Sequence, residues 1–271
     1  MTNYGIFITI TPIMIDIHCH ILPGLDDGAK DMEESVCMCA MAAEDGIEKI
    51  VATPHTMDGI YINKTQDIKQ AVNVLNSVLI EKKIHVEILP GADVHVNIDL
   101  LELIKEGKAS TINDNHHYML LELPHQSVPP NIKDLIFDLN IHGITPILTH
   151  PERNAVLQND IDTLYDLVLQ GILIQITAHS LRGEFGPAAE KCCLELLKHN
   201  LVHVIATDAH SSTGRPPYLS YALKKAAEII DEKDALALVT SNPSAIIQGQ
   251  NIPNLSEPEK SKKSFFQRHF S

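Results

Sequence analysis

The stretch MIDIHCHILPGLDDGA, residues 14–29, joins a short apolar run to a close group of histidines and aspartates. The run is continuous rather than alternating and rich in Ile, which is typical of a strand buried on both faces of a parallel sheet. His18 and His20 are two residues apart, so on a strand both imidazoles point to one side and can share a metal ion. Asp16 is in phase with them and is predicted to orient one ring, and Asp27 adds a carboxylate nearby.

The same kind of run recurs six times downstream. With the first run at 13–20, the apolar, β-branched runs lie at 49–55, 86–95, 118–124, 144–153, 172–180 and 202–211. Helical patterns separate most of them, at 30–46, 65–82, 130–142, 160–170, 187–199 and 217–231. Seven strand–helix repeats predict an α/β fold, a closed or nearly closed parallel β/α barrel, with an open doubly wound sheet as the alternative.

Polar residues lie at the carboxyl ends of these runs, where barrel enzymes build their active sites. Glu122 sits between Leu121 and Leu123, and a buried, unpaired carboxylate would be costly without a cation partner. The predicted metal ligands are His18, His20, Asp27, His55, Asp93, Glu122, His150, Asp208 and His210. Mixed imidazole and carboxylate ligands suit Mn, Zn or Fe, and nine suffice for two or three ions. The alternative is a set of hydrogen-bonded strand-end residues without metal.

Two arginines follow these ligand candidates closely. Arg153 is three residues after His150, and Arg215 is five after His210. A guanidinium is a fork-shaped donor that matches phosphate oxygens, so the pair predicts an anionic substrate. Salt bridges elsewhere are the simpler interpretation of each arginine. His179, at the end of the sixth run, is an ambiguous further candidate for the site.

Composition excludes several other classes of protein. The 271 residues carry a net charge of −14 and 4% aromatic residues without Trp, which disfavours nucleic-acid binding. None of the five cysteines has an arginine six positions later, which excludes a phosphatase with a Cys-x5-Arg loop. Their odd number argues against a disulfide framework. The apolar segment 5–15 is too short to span a bilayer and has no basic start, so a cytoplasmic location is expected.

Three segments are predicted along the chain. Residues 1–13 form an N-terminal extension, with Met14 as an alternative start, 14–250 form the catalytic barrel, and 251–271 form a basic, Phe-rich tail. The tail is expected either to be a disordered end or to dock, onto a barrel or onto a partner at the membrane surface.

The motifs resemble those of the PHP (polymerase and histidinol phosphatase) superfamily, and within it the bacterial capsular and exopolysaccharide-type protein tyrosine phosphatases. The matching stretches are MIDIHCHILPGLDDGA, ATPH, GADVH, LLELP, ILTHPER, ATDAHS and Arg215-Pro216, over about residues 14–250. The resemblance implies a distorted seven-stranded β/α barrel that holds two or three divalent metals, with Mn expected and Zn or Fe as alternatives.

The resemblance also implies how the ligands are shared. One ion would be held by His18, His20, Asp93 and Asp208, a second by Asp93, Glu122 and His150, and a third by Asp27, His55 and His210. Arg153 and Arg215 match the catalytic, phosphate-binding arginines. Position 93 is Asp where these phosphatases usually carry Glu, so a weaker bridge or a changed metal spacing is expected.

The expected function is metal-dependent hydrolysis of phosphotyrosine on a protein, namely a membrane-associated tyrosine kinase of capsular or exopolysaccharide assembly. A small-molecule phosphatase such as histidinol phosphatase is the main alternative. A nuclease or proofreading module and a non-enzymatic metal-binding regulator are further alternatives that the acidic charge and the two arginines disfavour. No nucleic-acid partner is expected, and the sequence leaves the oligomeric state open, a homo-oligomer included.

Overall fold

Strands and helices alternate along residues 13–260, which are the residues described by the computed structural model. The strands are β1 (Met14–Cys19), β2 (Ile47–Ala52), β3 (His55–Thr56), β4 (Glu87–Pro90), β5 (Asp93–His95), β6 (Tyr118–Glu122), β7 (Thr145–Thr149), β8 (Leu173–Thr177) and β9 (Val204–Ala206). The helices are α1 (Met32–Asp45), α2 (Thr65–Lys82), α3 (Leu100–Lys105), α4 (Ile132–Ile141), α5 (Ile161–Val168), α6 (Pro187–Lys198), α7 (Ser220–Ala227), α8 (Glu232–Ala237) and α9 (Ser241–Ile247). Short 3-10 helices lie at Ile112–Asp114, Pro151–Arg153, Leu157–Asn159 and Ala178–Arg182.

The strands form two parallel sheets. One has the order β1-β2-β4 and the other the order β3-β5-β6-β7-β8-β9. A single bridge, between Cys19 and Ala209, connects the end of β1 to the residues after β9. The predicted α/β fold with parallel strands is therefore confirmed, but the strands do not pair as one closed, seven-stranded barrel.

The difference arises because two of the predicted runs are broken. The second run divides into β2 and β3 at Pro54, which has no N–H to donate to a neighbouring strand. The third divides into β4 and β5 at Gly91, where a Cβ atom would lie 2.6 Å from a methyl group of Val51. The two runs nevertheless remain neighbours, because β2 pairs with β4 before the break and β3 pairs with β5 after it.

Local signals explain where the main helices begin and end. Asp31 precedes α1 and accepts a hydrogen bond from the backbone N–H of Glu34 at 2.9 Å, and Gly46 follows it with φ 93°. Pro187 opens α6 at the position where a missing N–H costs nothing. The helices α3, α8 and α9 are short and were not predicted from the sequence.

Side chains of the sheet divide between two apolar clusters. In β6, Met119 and Leu121 join the larger cluster with the helices, while Tyr118 and Leu120 join an inner one with Ile246 of α9. Glu122 is in phase with the inner residues, at the carboxyl end of the strand. The inner cluster therefore gives way to polar side chains at the carboxyl ends of the strands, and the candidate site lies there.

The ends of the chain test the predicted segments only in part. Residues 1–12 and 261–271, and with them most of the extension and the aromatic part of the tail, lie outside the described residues. Before them the tail lies against α5 and the residue after α6: the backbone N–H of Glu259 donates to the His199 carbonyl at 2.8 Å, and Lys260 Nζ is 5.5 Å from the centre of the Tyr165 ring. None of the described helices has the length and apolar character needed to cross a membrane.

Candidate active site

All nine predicted ligands meet at the carboxyl ends of the strands. Their ligand atoms form four overlapping groups, and within each group the atoms lie within 4.8 Å of one another. The groups are His20, Asp27, His55 and His210; His18, His20 and Asp208; His18, Asp93 and His150; and His55, Asp93 and Glu122. The structure therefore brings together every ligand candidate, from loops and strands that lie far apart in the sequence.

Asp93 lies at the centre of this cluster. Its Oδ2 atom is 3.5 Å from His18 Nε2, 3.5 Å from His55 Nδ1 and 3.9 Å from His150 Nε2. The side chain is fully buried, yet neither Asp93 Oδ2 nor His55 Nδ1 has a hydrogen-bond partner among residues 13–260. Burial and the neighbouring charge of Glu122 raise the pKa of Asp93 well above its usual range.

An unpartnered carboxylate oxygen among imidazoles is costly to bury, and divalent ions remove that cost because they bind both ligand types. The donor set and its unpartnered atoms therefore fit a cluster of such ions.

Two hydrogen bonds fix the rings of the first histidine pair. His18 Nδ1 lies 2.8 Å from Gln175 Oε1, and His20 Nδ1 lies 2.6 Å from Asp26 Oδ2. The Nε2 atoms of both rings face Asp208 Oδ1, at 3.4 and 3.3 Å. A partner on Nδ1 leaves Nε2 free for a metal, which is the arrangement that supports histidine ligands elsewhere.

Asp26 and Gln175 were not identified from the sequence. Asp26 also accepts the backbone N–H groups of Gly28 at 2.9 Å and His55 at 3.0 Å. The turn needs glycine at position 28, because a Cβ atom there would lie 2.1 Å from the carbonyl oxygen of His20. The available signals were the Asp-Asp-Gly sequence itself and a lone amide side chain in the apolar strand β8.

The predicted role of Asp16 is wrong. Its carboxylate does not orient a histidine ring but accepts the backbone N–H groups of His18 at 3.2 Å and Thr207 at 3.0 Å, and the Thr207 hydroxyl. Asp16 thereby ties β1 to the residues after β9. The backbone of this second segment turns sharply, since Asp208 has φ 52° in the left-handed region.

Both arginines reach the ligand cluster through one carboxylate. Arg153 Nη1 and Arg215 Nη2 each contact Asp208 Oδ2, and Arg215 Nη2 also donates to the Asp208 carbonyl at 2.7 Å. Burial opposes ionisation of Asp208, but Arg153 and the other neighbouring cations hold its pKa well below the usual range. The arginines and the candidate metal ligands thus form one continuous site.

Comparison with known proteins agrees with this geometry. The sequence profile described as "Capsular polysaccharide synthesis, CpsB/CapC" matches residues 14–248. The chain belongs to the CpsB/CapC family. It is 34% identical to the tyrosine-protein phosphatase YwqE of Bacillus subtilis over 256 residues, which cover 93% of this chain and 99% of YwqE. It is 32% identical to the tyrosine-protein phosphatase CpsB of Streptococcus pneumoniae over 246 residues, 88% of this chain and all of CpsB.

A solved structure supports the same assignment at the level of the fold. It comes from the crystal structures of YwqE from Bacillus subtilis and CpsB from Streptococcus pneumoniae, which are unique metal-dependent tyrosine phosphatases. The TM-score is 0.87 at 34% sequence identity, over 92% of this chain and all of the other. The resemblance to capsular-type phosphatases is thereby confirmed as membership of the CpsB/CapC family.

Two other strand-end histidines, His95 and His179, differ in their relation to the ligand groups of this CpsB/CapC chain. His95 Nδ1 is 3.5 Å from Glu122 Oε2, and the side chain is 25% exposed, so it borders the cluster. His179 is buried and does not join any ligand group among the described residues. Its Nδ1 atom lies 2.7 Å from Glu184 Oε2, and its Nε2 atom lies 2.9 Å from the carbonyl oxygen of Pro216.

Proposed function

We propose that this chain is a metal-dependent phosphatase that hydrolyses phosphotyrosine on proteins. The observation that carries the proposal is the position of Asp208, which contacts both arginines and also lies in a group of candidate metal ligands. A phosphoryl group bound there would meet two guanidinium forks and the metal cluster together. Two relatives of this chain, YwqE and CpsB, are named tyrosine-protein phosphatases.

The nine ligands would hold two or three divalent ions, with Asp93 between two of them. Support comes from the four ligand groups, two of which contain Asp93. His55 would be within reach of either the ion with Asp27 or the ion with Glu122, because its ring nitrogens belong to both groups. Mn is the expected metal, with Zn and Fe as alternatives suited to the same ligands.

Bound divalent ions supply positive charge to the phosphoryl group and lower the pKa of water. The chain's own contribution is to hold that group in place. Arg153 and Arg215 present N–H donors from two different loops, and donors placed in advance stabilise the charge that develops on phosphoryl oxygens. A tyrosine phenolate has a parent pKa of about 10 and therefore leaves with less protonation than an alkoxide needs.

The thiols are unsuited to replace this chemistry. All five cysteines are free, and Cys19, which lies within the metal-ligand motif, is fully buried. Burial raises the pKa of the Cys19 thiol well above its usual range, so the nucleophilic thiolate is disfavoured.

The substrate is proposed to be a membrane-associated tyrosine kinase of capsular or exopolysaccharide assembly. The family description, which refers to capsular polysaccharide synthesis, supports this choice. The catalytic unit is proposed to span 14–250. Its two sheets are proposed to act as one distorted, seven-stranded barrel, because β2 with β3 and β4 with β5 each continue one run of the chain. The cytoplasmic location stays a prediction.

The test is a panel of substrates assayed before and after metal removal. Chelation is expected to abolish hydrolysis of a phosphotyrosine peptide, and Mn is expected to restore it best. Histidinol phosphate and single-stranded DNA should be poor substrates, and Cys19→Ser should retain activity. Full activity after exhaustive metal removal would refute the mechanism, and a preference for histidinol phosphate would instead identify a small-molecule phosphatase.

A further inference from the structure

One aromatic ring contacts both arginines of the candidate site. The guanidinium carbon of Arg153 lies 4.5 Å from the centre of the Phe185 ring, and that of Arg215 lies 5.3 Å from it. Both distances are within the range of about 6 Å at which a cation is attracted to an aromatic face. Phe185 lies outside the ligand set, in the loop between the 3-10 helix Ala178–Arg182 and α6.

The two arginines need such a contact because they are like charges held close together. Both contact the same atom, Asp208 Oδ2, and they come from separate loops after β7 and β9. Asp208 is itself a candidate metal ligand, so its carboxylate is divided between several cations. The Phe185 ring carries no charge and lies against both guanidinium groups.

The loop that carries Phe185 is fixed to the loop that carries Arg215. Glu184, which precedes Phe185, and Pro216, which follows Arg215, both lie within hydrogen-bonding distance of the buried His179 ring, at 2.7 and 2.9 Å. Within the same segment, Arg182 Nε lies 3.1 Å from Glu184 Oε1. The position of Phe185 therefore depends on buried and paired groups rather than on the ring alone.

We propose that Phe185 is a positioning residue that holds Arg153 and Arg215 side by side for binding the phosphoryl group. This inference rests on the proposed phosphatase function. The ring acts through the two guanidinium groups and takes no part in the chemistry. His179 supports it by joining the Phe185 loop to the Arg215 loop.

The test compares Phe185→Leu, which keeps an apolar side chain, with Phe185→Trp, which keeps an aromatic face. Phe185→Leu is expected to lower kcat/KM for a phosphotyrosine peptide roughly 3- to 30-fold, the range that corresponds to a cation–π contact. Binding of inorganic phosphate to the metal-loaded protein, measured by calorimetry, should weaken over the same range. Phe185→Trp should retain most of the kcat/KM and most of the affinity for inorganic phosphate. Phe137→Leu, on the exposed face of α4, is the matched control and should change neither.

A merely structural role is excluded by repeating Phe185→Leu in a variant that lacks both arginines. In that variant Phe185→Leu should cause no further loss of phosphate affinity or kcat/KM, because the two guanidinium groups that the ring positions are absent. An equal loss in that background, an unchanged Phe185→Leu protein, or a Phe185→Trp protein as impaired as Phe185→Leu would overturn the inference. Phosphate affinity tests the role of Phe185 even if the protein does not hydrolyse phosphotyrosine. Failure of the proposed function is therefore distinguishable from failure of the inference.

Discussion

Replacing Asp26 with Asn removes the charge that orients a candidate metal ligand while keeping the size of the side chain. Asp26 Oδ2 accepts from His20 Nδ1 at 2.6 Å, and Asp26 Oδ1 accepts the backbone N–H of Gly28 at 2.9 Å. In Asp26→Asn only one of these positions keeps an oxygen, so either the ring or the turn loses its acceptor. Backbone N–H groups lie on both sides, Gly28 at Oδ1 and His55 at Oδ2, so either orientation of the amide removes an acceptor and the negative charge beside the His20 ring.

The expected magnitude follows from the position of His20 in two of the four ligand groups. Loss of an orienting partner behind a histidine ligand commonly lowers metal affinity or activity about 10- to 100-fold, which corresponds to about 1.4–2.8 kcal/mol. Asp26→Ala should cost more than Asp26→Asn, because it removes both side-chain acceptors instead of one.

The assay is a titration of the metal-free protein with Mn, followed by calorimetry and by hydrolysis of an aryl phosphate. Asp31→Asn is the matched control, since Asp31 lies in the same segment but accepts only from α1, and its metal affinity should be unchanged. The reasoning about His20 would be refuted by an Asp26→Asn protein that binds Mn and turns over substrate like the parent. It would equally fail if the control lost as much affinity as Asp26→Asn.

Three further changes have definite expected results. Arg153→Ala and Arg215→Ala should each lower kcat/KM about 100-fold, as removal of one strong donor to a developing anion does, with metal content unchanged by elemental analysis. His203 Nδ1 accepts the backbone N–H of Ile174 at 3.0 Å, and burial lowers the pKa of His203 to about 4. The unfolded chain protonates His203 more readily than the folded chain does. The neutral, buried ring therefore contributes fully to the free energy of unfolding above pH 6.5, and this contribution is lost as the pH falls towards 4. In urea unfolding, His203→Gln should remove a pH-dependent difference of up to about 3 kcal/mol. Removing residues 261–271 should leave aryl phosphate turnover unchanged, because the chain before them contacts His199, which lies between α6 and the start of β9 and is not a candidate ligand.

Much of the site was predictable because a polar residue within or after a buried apolar run indicates a functional position. Glu122 within an apolar run, and His150 and Asp208 directly after such runs, indicated strand ends that face a common site. Parallel strands bring their carboxyl ends to one edge, so the positions in the sequence were enough to group the side chains. This reasoning needed the order of the strands and no knowledge of their exact pairing.

The features that escaped prediction depend on contacts between distant segments. Val51 of another strand leaves no room for a side chain at Gly91, and Gln175 matters only because His18 lies beside it. Asp16 and Asp26 are similar carboxylates near the same histidines, and the turn at Gly28 decides which of them faces a ring. Phe185 carried no signal, since a single aromatic in a loop becomes meaningful only when both arginines are seen against it.

The contacts between β1 and the residues after β9 have a consequence for the timing of folding. His18 and His20 must wait for Asp208 and His210, and Cys19 for its bridge to Ala209, so about 190 residues separate the partners in the chain. At a synthesis rate of about 5–20 residues per second, the first histidines leave the ribosome roughly 10–40 seconds before the residues that complete their site. Contacts of such long sequence separation also slow folding, because loop closure is costly before they form. Ion capture by the two ligand groups that contain Asp208 or His210 should therefore be a late event in synthesis, and a truncated chain that ends before β9 would lack the carboxylate shared by His18 and His20.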